Sequence, residues 1–554
     1  MRRFLRIAVT SLVTVLAACS TDLTVSNENN ADINRALAKP SDVENLLSGG
    51  FNQVVANTTG GAIENPNTAY QVMSFENYSG LANFGMGPRA GLPRTPVVNG
   101  LGNPSSTTVA GTFNGLSRQA RATTLALERL ASSGFTLGTP AADVRARAYG
   151  RFVLGLSLGY LALTYDSAAV VVPGAEAVPA LVGYDSVMKA AIKSLDDALA
   201  DATNPVAGGT GGFPLPASWM NLTTGSVSSD LFARIIRTYR ARFRAQLART
   251  STERAAANWT QIIADAQNGI QSDVSISMNA TTGWTQAWVV QHYAGPNWHI
   301  MTPQIIGMAD SVGAQYATWL NQPLLNRNPF LIRTVDRRFP AGNTRDLQNA
   351  ASNGGAIGAV PLAGVYFRNR RSADDGAAAD GTWGFSFYDH VRFQAFQNAA
   401  RIGPFPHIVM PELWALIAEG AIRTGNFALA ASSIDQSRVS RGGLPSVAGL
   451  TNLTDPVPGG NACVPRVPVL TGSTFTTRCG NILEAMKWER RMETAYINYG
   501  AWFLDMRGWG DLAEGTPIHF PVPWQERQVR VQEPNNIGGV GLPGGAVKGS
   551  YGLP

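Results

Sequence analysis

Four aromatic side chains, Trp284, Trp288, Tyr293 and Trp298, fall within fifteen residues of a 554-residue chain. Gln286, Gln291, His292, Asn297 and His299 are interleaved with them. This mixture suits a sugar. A pyranose presents flat C–H faces and a rim of hydroxyls; aromatic plates cover the faces and amides bond the rim. Thr281-Thr282-Gly283 opens the segment and Gly295-Pro296 interrupts it, so one unbroken helix cannot carry all the rings. Binding residues concentrate on loops of this kind. The other reading is that the rings fill core between helices. The candidate ligand-binding residues are Trp284, Trp288, Tyr293, Asn297 and Trp298. Trp383, Phe385 and Tyr388 form a weaker set, as do Tyr70, Asn77 and Tyr78.

Bond-breaking chemistry has no comparable constellation. No Gly-x-Ser-x-Gly sits in a strand–turn–helix context, and there is no phosphate loop and no metalloprotease helix. Glu489 and Glu493 form a carboxylate pair within Glu489-Arg490-Arg491-Met492-Glu493. Spacing alone does not set a glycosidase separation. Charges four apart pair along a helix, so these residues are expected to organise structure. The five histidines are dispersed, and neither they nor the cysteines have ligand spacing. No catalytic residue, metal or cofactor is assigned.

The leader defines the compartment. Arg2, Arg3 and Arg6 precede a largely apolar run from Ile7 to Ala18, which ends in Leu16-Ala17-Ala18-Cys19. Charge, apolar run and small residues in that order make an export signal. A membrane-spanning helix needs about 20 apolar residues, more than this run supplies. Small residues followed by Cys19 match a bacterial lipobox, so Cys19 is expected to carry lipid; Ser20 after it fits outer-membrane sorting. Residues 1–18 are then a signal peptide, 19–30 a lipidated tether and 31–554 a single ligand-binding body.

Net charge is +6, and three of those charges lie in the leader. The remaining basic residues are nearly all arginines scattered among acids, without a basic stripe interleaved with aromatics, so nucleic-acid binding is unsupported. With Cys19 lipidated, Cys463 and Cys479 remain as an even pair in an oxidising compartment, which favours a disulfide over two free thiols. The Gly-, Pro- and Thr-rich loop between them would gain from closure.

The elements that must hold these residues are mostly helical. Apolar periodicity predicts helices over 40–55, 116–130, 140–165, 184–200, 230–249 and 258–272. Ser41 and Asp42 are placed to cap the first, and Pro140 suits the first turn of the third. Residues 58–111 read as a polar, Gly-rich stretch. Helices over 411–423 and 427–439 join through Thr424-Gly425-Asn426, an antiparallel hairpin. Asn481 is placed to cap a helix beginning at Ile482. Short strands are expected only near 359–368 and 383–388. Helix pairs in series with small inner residues predict a mainly α fold of tetratricopeptide-like pairs, long loops and a few short strands.

Several segments together resemble the SusD/RagB family of outer-membrane lipoproteins. Pro411-Glu412-Leu413-Trp414 through Ala418-Glu419 to Gly425-Asn426, then Arg438 and Arg441-Gly442-Gly443, resembles that family's late helical hairpin. Arg145 to Tyr149, leading to Gly159-Tyr160, is similar to its early helix. Glu489 to Glu493, Asp505-Met506-Arg507, Pro521-Val522-Pro523 and Asn535-Asn536 follow in the family's order. Many members have Glu-Gly-x-Arg after the charged helix, where this chain reads Asn498-Tyr499-Gly500-Ala501. The resemblance implies a SusD-like body anchored to the outer membrane. It would capture an oligosaccharide or other nutrient and pass it to a SusC-like TonB-dependent transporter, with no cofactor. An envelope glycan hydrolase and a tetratricopeptide-like protein-interaction scaffold are the alternatives.

Overall fold

The computed structural model describes residues 33–60, 66–79, 85–103, 106–171, 179–203, 213–285, 300–375 and 384–553. The signal peptide, the tether and Cys19 lie outside them. Among the described residues, no helix is long and apolar enough to cross a membrane.

Thirteen helices carry the argument. They are α1 (Pro40–Ser48), α2 (Gly50–Thr58), α3 (Pro66–Met73), α4 (Ser106–Ala131), α5 (Pro140–Thr164), α6 (Tyr184–Thr203) and α7 (Ser229–Gln246). The rest are α8 (Trp259–Gln267), α9 (Met410–Arg423), α10 (Phe427–Arg438), α11 (Ile482–Thr494), α12 (Ala501–Trp509) and α13 (Trp524–Val529). From α4 to α10 each packs against the next, and α9 also packs on α11. This is the serial stacking expected of helix pairs, and the fold is mainly α.

Local sequence sets most boundaries. Thr139 accepts the Ala142 N–H at 3.1 Å at the start of α5. Asn426 caps α10 through the Leu429 N–H, and Asn481 caps α11 through the Glu484 N–H, each at 3.1 Å. Gly425 takes the left-handed conformation (φ +79°) that the α9–α10 turn requires. Small residues on α5 admit close neighbours: a Cβ on Gly159 would lie 2.1 Å from the Phe243 ring of α7.

Other expectations change. The helix over 40–55 is two helices meeting at Gly49, and Lys39 occupies the N-cap position, so Ser41 is helical rather than capping. Gly50 seats against Val153 of α5, where a Cβ would lie 2.8 Å from a methyl carbon. The stretch 58–111 is not merely a surface loop. Every residue of α3 is buried, and Tyr70 stacks on Phe503 at 4.1 Å. α4 starts ten residues before the apolar register at Leu116, and there the Thr112 hydroxyl donates to the Asn57 carbonyl of α2 at 2.8 Å. The helix expected to reach 272 stops at Gln267, before Asn268-Gly269.

Strands are short and paired antiparallel: β1 (Ser167–Ala169) with β2 (Leu181–Gly183), β3 (Val274–Met278) with β6 (Gly403–Ile408), β4 (Phe367–Asn369) with β5 (Tyr388–His390), and β7 (Arg466–Thr471) with β8 (Thr474–Cys479). Of the strand expected over 359–368 only its end is extended, because Gly358 and Gly364 (both φ +83°) break the run. The strand expected over 383–388 lies instead at Tyr388–His390. Cys463 and Cys479 are joined by a disulfide across the mouth of the β7–β8 hairpin.

Charged side chains are part of the interior. Arg249 donates to the carbonyls of Ala162 (3.2 Å) and Tyr165 (2.6 Å). Arg507 donates to Leu163 (3.0 Å) and, at the end of α7, to Gln246 (2.8 Å). Carbonyl-rich helix C-termini serve as their counter-charge. Burial, and then the neighbouring Arg507 charge, lower the Arg249 guanidinium to about 9.

Candidate functional site

The charged helix α11 is a buried clamp. Arg338 donates to Glu489 at 2.8 Å, to Glu493 at 3.2 Å and to Asp336 at 2.7 Å. Glu493 also takes Arg441 at 2.7 Å and the Tyr366 hydroxyl at 3.1 Å. Arg490 bonds Asp505 at 2.7 Å, and Arg491 bonds Asp511 at 2.7 Å. Burial raises Glu489 while Arg338 pulls it down, and the balance stays above the ordinary carboxylate value. The organising role expected of these charges is the one they play. Arg338, which sequence reading did not single out, is the centre of the cluster.

The hairpin residues Glu412 and Glu419, two turns apart on α9, also face inward. Arg242 holds Glu412 and Arg254 holds Glu419, each through two hydrogen bonds. Asn498 and Trp509 add one donor to each carboxylate.

The aromatic candidates divide. Trp284 is 7 % exposed and belongs to the hydrophobic core, its ring 6.1 Å from Phe51. Its backbone exchanges hydrogen bonds with Asn279 at 2.7 and 3.1 Å. This placement corrects the reading of Trp284 as part of a solvent-facing platform: its apolar surface is already covered. Tyr70, Asn77, Tyr78, Phe385 and Tyr388 are buried too. The Tyr388 hydroxyl donates to Gln348 at 2.6 Å and accepts the Ile332 N–H at 2.9 Å, a core role. Trp288, Tyr293, Asn297, Trp298 and Trp383 lie outside the described residues.

Several described residues that bracket these candidates are in contact. Tyr78 and Ile300 exchange backbone hydrogen bonds at 2.7 and 3.1 Å. A Cβ on Gly384 would lie 2.1 Å from the Tyr78 ring, and one on Gly60 would lie 2.4 Å from the Thr285 carbonyl oxygen. Asn52 ties α2 to Gly283 at 2.9 Å. Tyr78, Ile300 and Gly384 thus lie together, and Gly60 and Thr285 form a second contact. Beneath Tyr78, the Glu76 carboxyl is buried and accepts the Tyr496 N–H at 2.7 Å. Burial pushes it up to about 8, against the small opposing effect of that bond.

Of the cavities among the described residues, two lie against α4 with arginines on their walls. One, of about 250 Å³, is lined by Arg89, Thr95, Val97, Thr108 and Phe520. The other, of about 570 Å³, lies between α4, the β1–β2 pair and α13, with Arg118, Arg121 and Arg530 on its walls. Sequence reading missed both. The available signal was on α4, where Arg118 and Arg121 have no acidic residue within a helical turn.

No family model matches the chain, and no curated protein matches it. Solved structures do. A SusD superfamily protein from Bacteroides vulgatus aligns with a TM-score of 0.51 at 13 % identity, over 89 % of this chain and 90 % of its own. A candidate sugar binding protein from the same organism aligns with a TM-score of 0.51 at 12 % identity, over 90 % of this chain and 98 % of its own.

Proposed function

We propose that this chain, which has a SusD-like fold, is a surface-exposed lipoprotein that captures glycans and passes them to a SusC-like TonB-dependent transporter. The observation that carries the proposal is the fold, shared over nine-tenths of the chain with a protein described as a candidate sugar binder. Contact between bracketing residues supports it. Tyr78 meets both Ile300 and Gly384, the described residues that directly follow the segments whose sequence holds Trp288, Tyr293, Asn297, Trp298 and Trp383. These side chains combine ring-stacking surfaces with an amide, the chemistry of a sugar subsite. Lipid on Cys19 would hold the body at the membrane, with residues 19–30 as the tether.

The test is a gentle-detergent pull-down from native membranes, paired with retention of the eluate on immobilised polysaccharides. Wild type should bring down a large barrel protein and be retarded on at least one polysaccharide, while Cys19→Ala should leave the membrane fraction. Repeated recovery of the lipoprotein alone, with no retardation on any polysaccharide, would overturn the proposal.

A further inference from the structure

The larger cavity has an unbalanced charge. Arg118 and Arg121 stand one turn apart on the outward face of α4, so their side chains are neighbours. Neither forms an ion pair among the described residues; Arg118 only returns a hydrogen bond to the Asn114 carbonyl at 3.3 Å. Arg530 enters from α13, where Glu526 takes its Nε at 2.7 Å and the Pro179 carbonyl takes Nη1 at 2.7 Å. Among the described residues Glu526 is the one acid on the wall, and it is already committed. Among the described residues, two guanidinium groups thus have no acidic partner at a concave site of about 570 Å³, large enough for a small ligand.

The other walls fit a sugar. Asn114 and Ser117 share the α4 face with the two arginines and offer hydrogen bonds to hydroxyls. Ala169, Val171 and Pro179, all partly exposed, supply apolar surface for C–H faces. Guanidinium forks match the planar oxygen pair of a carboxylate and the oxygens of a sulfate ester. A neutral sugar would leave both arginines without a partner.

We propose that this cavity is a subsite for acidic glycans, with Arg118 and Arg121 binding the uronate carboxylate or sulfate ester of the bound residue. The inference rests on the capture function proposed above and specifies the glycan class. Arg530 is a positioning residue that ties α13 to the β1–β2 connection and shapes the wall.

The experiment measures binding of oligogalacturonate, its methyl ester and a sulfated galactan oligosaccharide to the detergent-solubilised full chain by calorimetry. A neutral glucan panel is run alongside. Exposed ion pairs are individually weak, so two arginines together should favour an acidic probe over the neutral ester by on the order of tenfold, less at high salt. Arg118→Gln/Arg121→Gln should abolish the preference, and Arg118→Lys/Arg121→Lys should retain part of it. Lys189→Gln, a surface charge on α6, should leave it intact. Preference for galacturonate or for the sulfated probe separates the two anion sources, and either supports the proposal. Equal affinity for acid and ester, a preference that survives the double Gln variant, or no binding of any acidic probe overturns it. Neutral glucan binding without charge preference would remove this inference and leave the capture function standing.

Discussion

Arg242 and Glu412, 170 residues apart in sequence, face each other through two parallel hydrogen bonds, Nε to Oε1 at 2.7 Å and Nη2 to Oε2 at 2.6 Å. Both are buried. Removing one partner strands the other charge, a loss of about 3–5 kcal/mol, whereas replacing both by apolar groups of similar volume is often nearly neutral. Urea unfolding should therefore rank Arg242→Met and Glu412→Leu, made singly, well below the double variant. Singles as stable as wild type would show that the pair does not bridge α7 and α9 in solution.

The pH dependence has two limbs of opposite sign. Burial would raise Glu412, but Arg242 and then Arg490 outweigh it and hold the carboxyl at about 2; Glu419 is held at about 2 in the same way by Arg254. Each adds stability that is complete above the ordinary value of 4.5 and is lost as pH falls toward 2. Glu76 runs the other way. Raised from 4.5 to about 8, it keeps its proton in the folded chain and releases it on unfolding, so its contribution declines as pH rises from 4.5 to 8. Glu76→Gln keeps an acceptor for the Tyr496 N–H without the charge. It should match wild type near pH 4.5 and exceed it by roughly 4 kcal/mol at pH 8. Chemical denaturation across pH checks this; parallel curves would count against a protonated Glu76.

Trp284 and the tryptophans that follow it should separate by experiment. Trp284→Ala removes a ring from the core and should cost about 3–5 kcal/mol. Trp288→Ala and Trp298→Ala should leave stability near wild type and weaken glycan binding, by about fivefold per lost stacking contact. Thermal melts and calorimetry on the same three variants decide the matter. Loss of fold in all three would return the whole cluster to the core.

Joining Cys463 to Cys479 closes a loop with a sequence separation of 16 residues. Chain entropy gives a bridge of that span about 3 kcal/mol. Cys463→Ser/Cys479→Ser should lower stability by up to that amount, and non-reducing peptide mapping of the wild type should recover the two cysteines in one linked fragment. Two free thiols in exported protein would refute the bond.

Periodicity and local boundary chemistry were enough to place α5, α9, α10 and α11, because each carries its own start or stop signal, such as Pro140, the Thr424-Gly425-Asn426 turn or Asn481. α3 was hidden because the reason it is helical lies elsewhere: Tyr70 meets Phe503, more than four hundred residues away. The role of α11 was legible as structural from its alternating charges, yet Arg338 was not, since nothing near it in sequence names Glu489 or Glu493 as partners. Trp284 illustrates the limit for sites. A tryptophan beside Thr281-Thr282-Gly283 reads as exposed until α2 is known to pass beneath it and bring Phe51 to its ring. The α4 cavity fails for a similar reason, since its third wall, α13, comes from the far end of the chain.

The clamp on α11 has a bearing on how the chain is made. Synthesis runs from the N-terminus, so Arg338 and the partners on α7 and α9 exist well before residue 482. Until then Arg338 has Asp336 alone, and the interior that will receive Trp488 and Met492 stays open to water. The last seventy residues are therefore the step that seals the molecule. A chain cut short before Ile482 is not a smaller version of the protein but an unfinished one, with cations already facing inward and their counter-ions missing. Proteases in the compartment where the exported chain folds would see that difference, and stops just before Ile482 should be as damaging as those near the start.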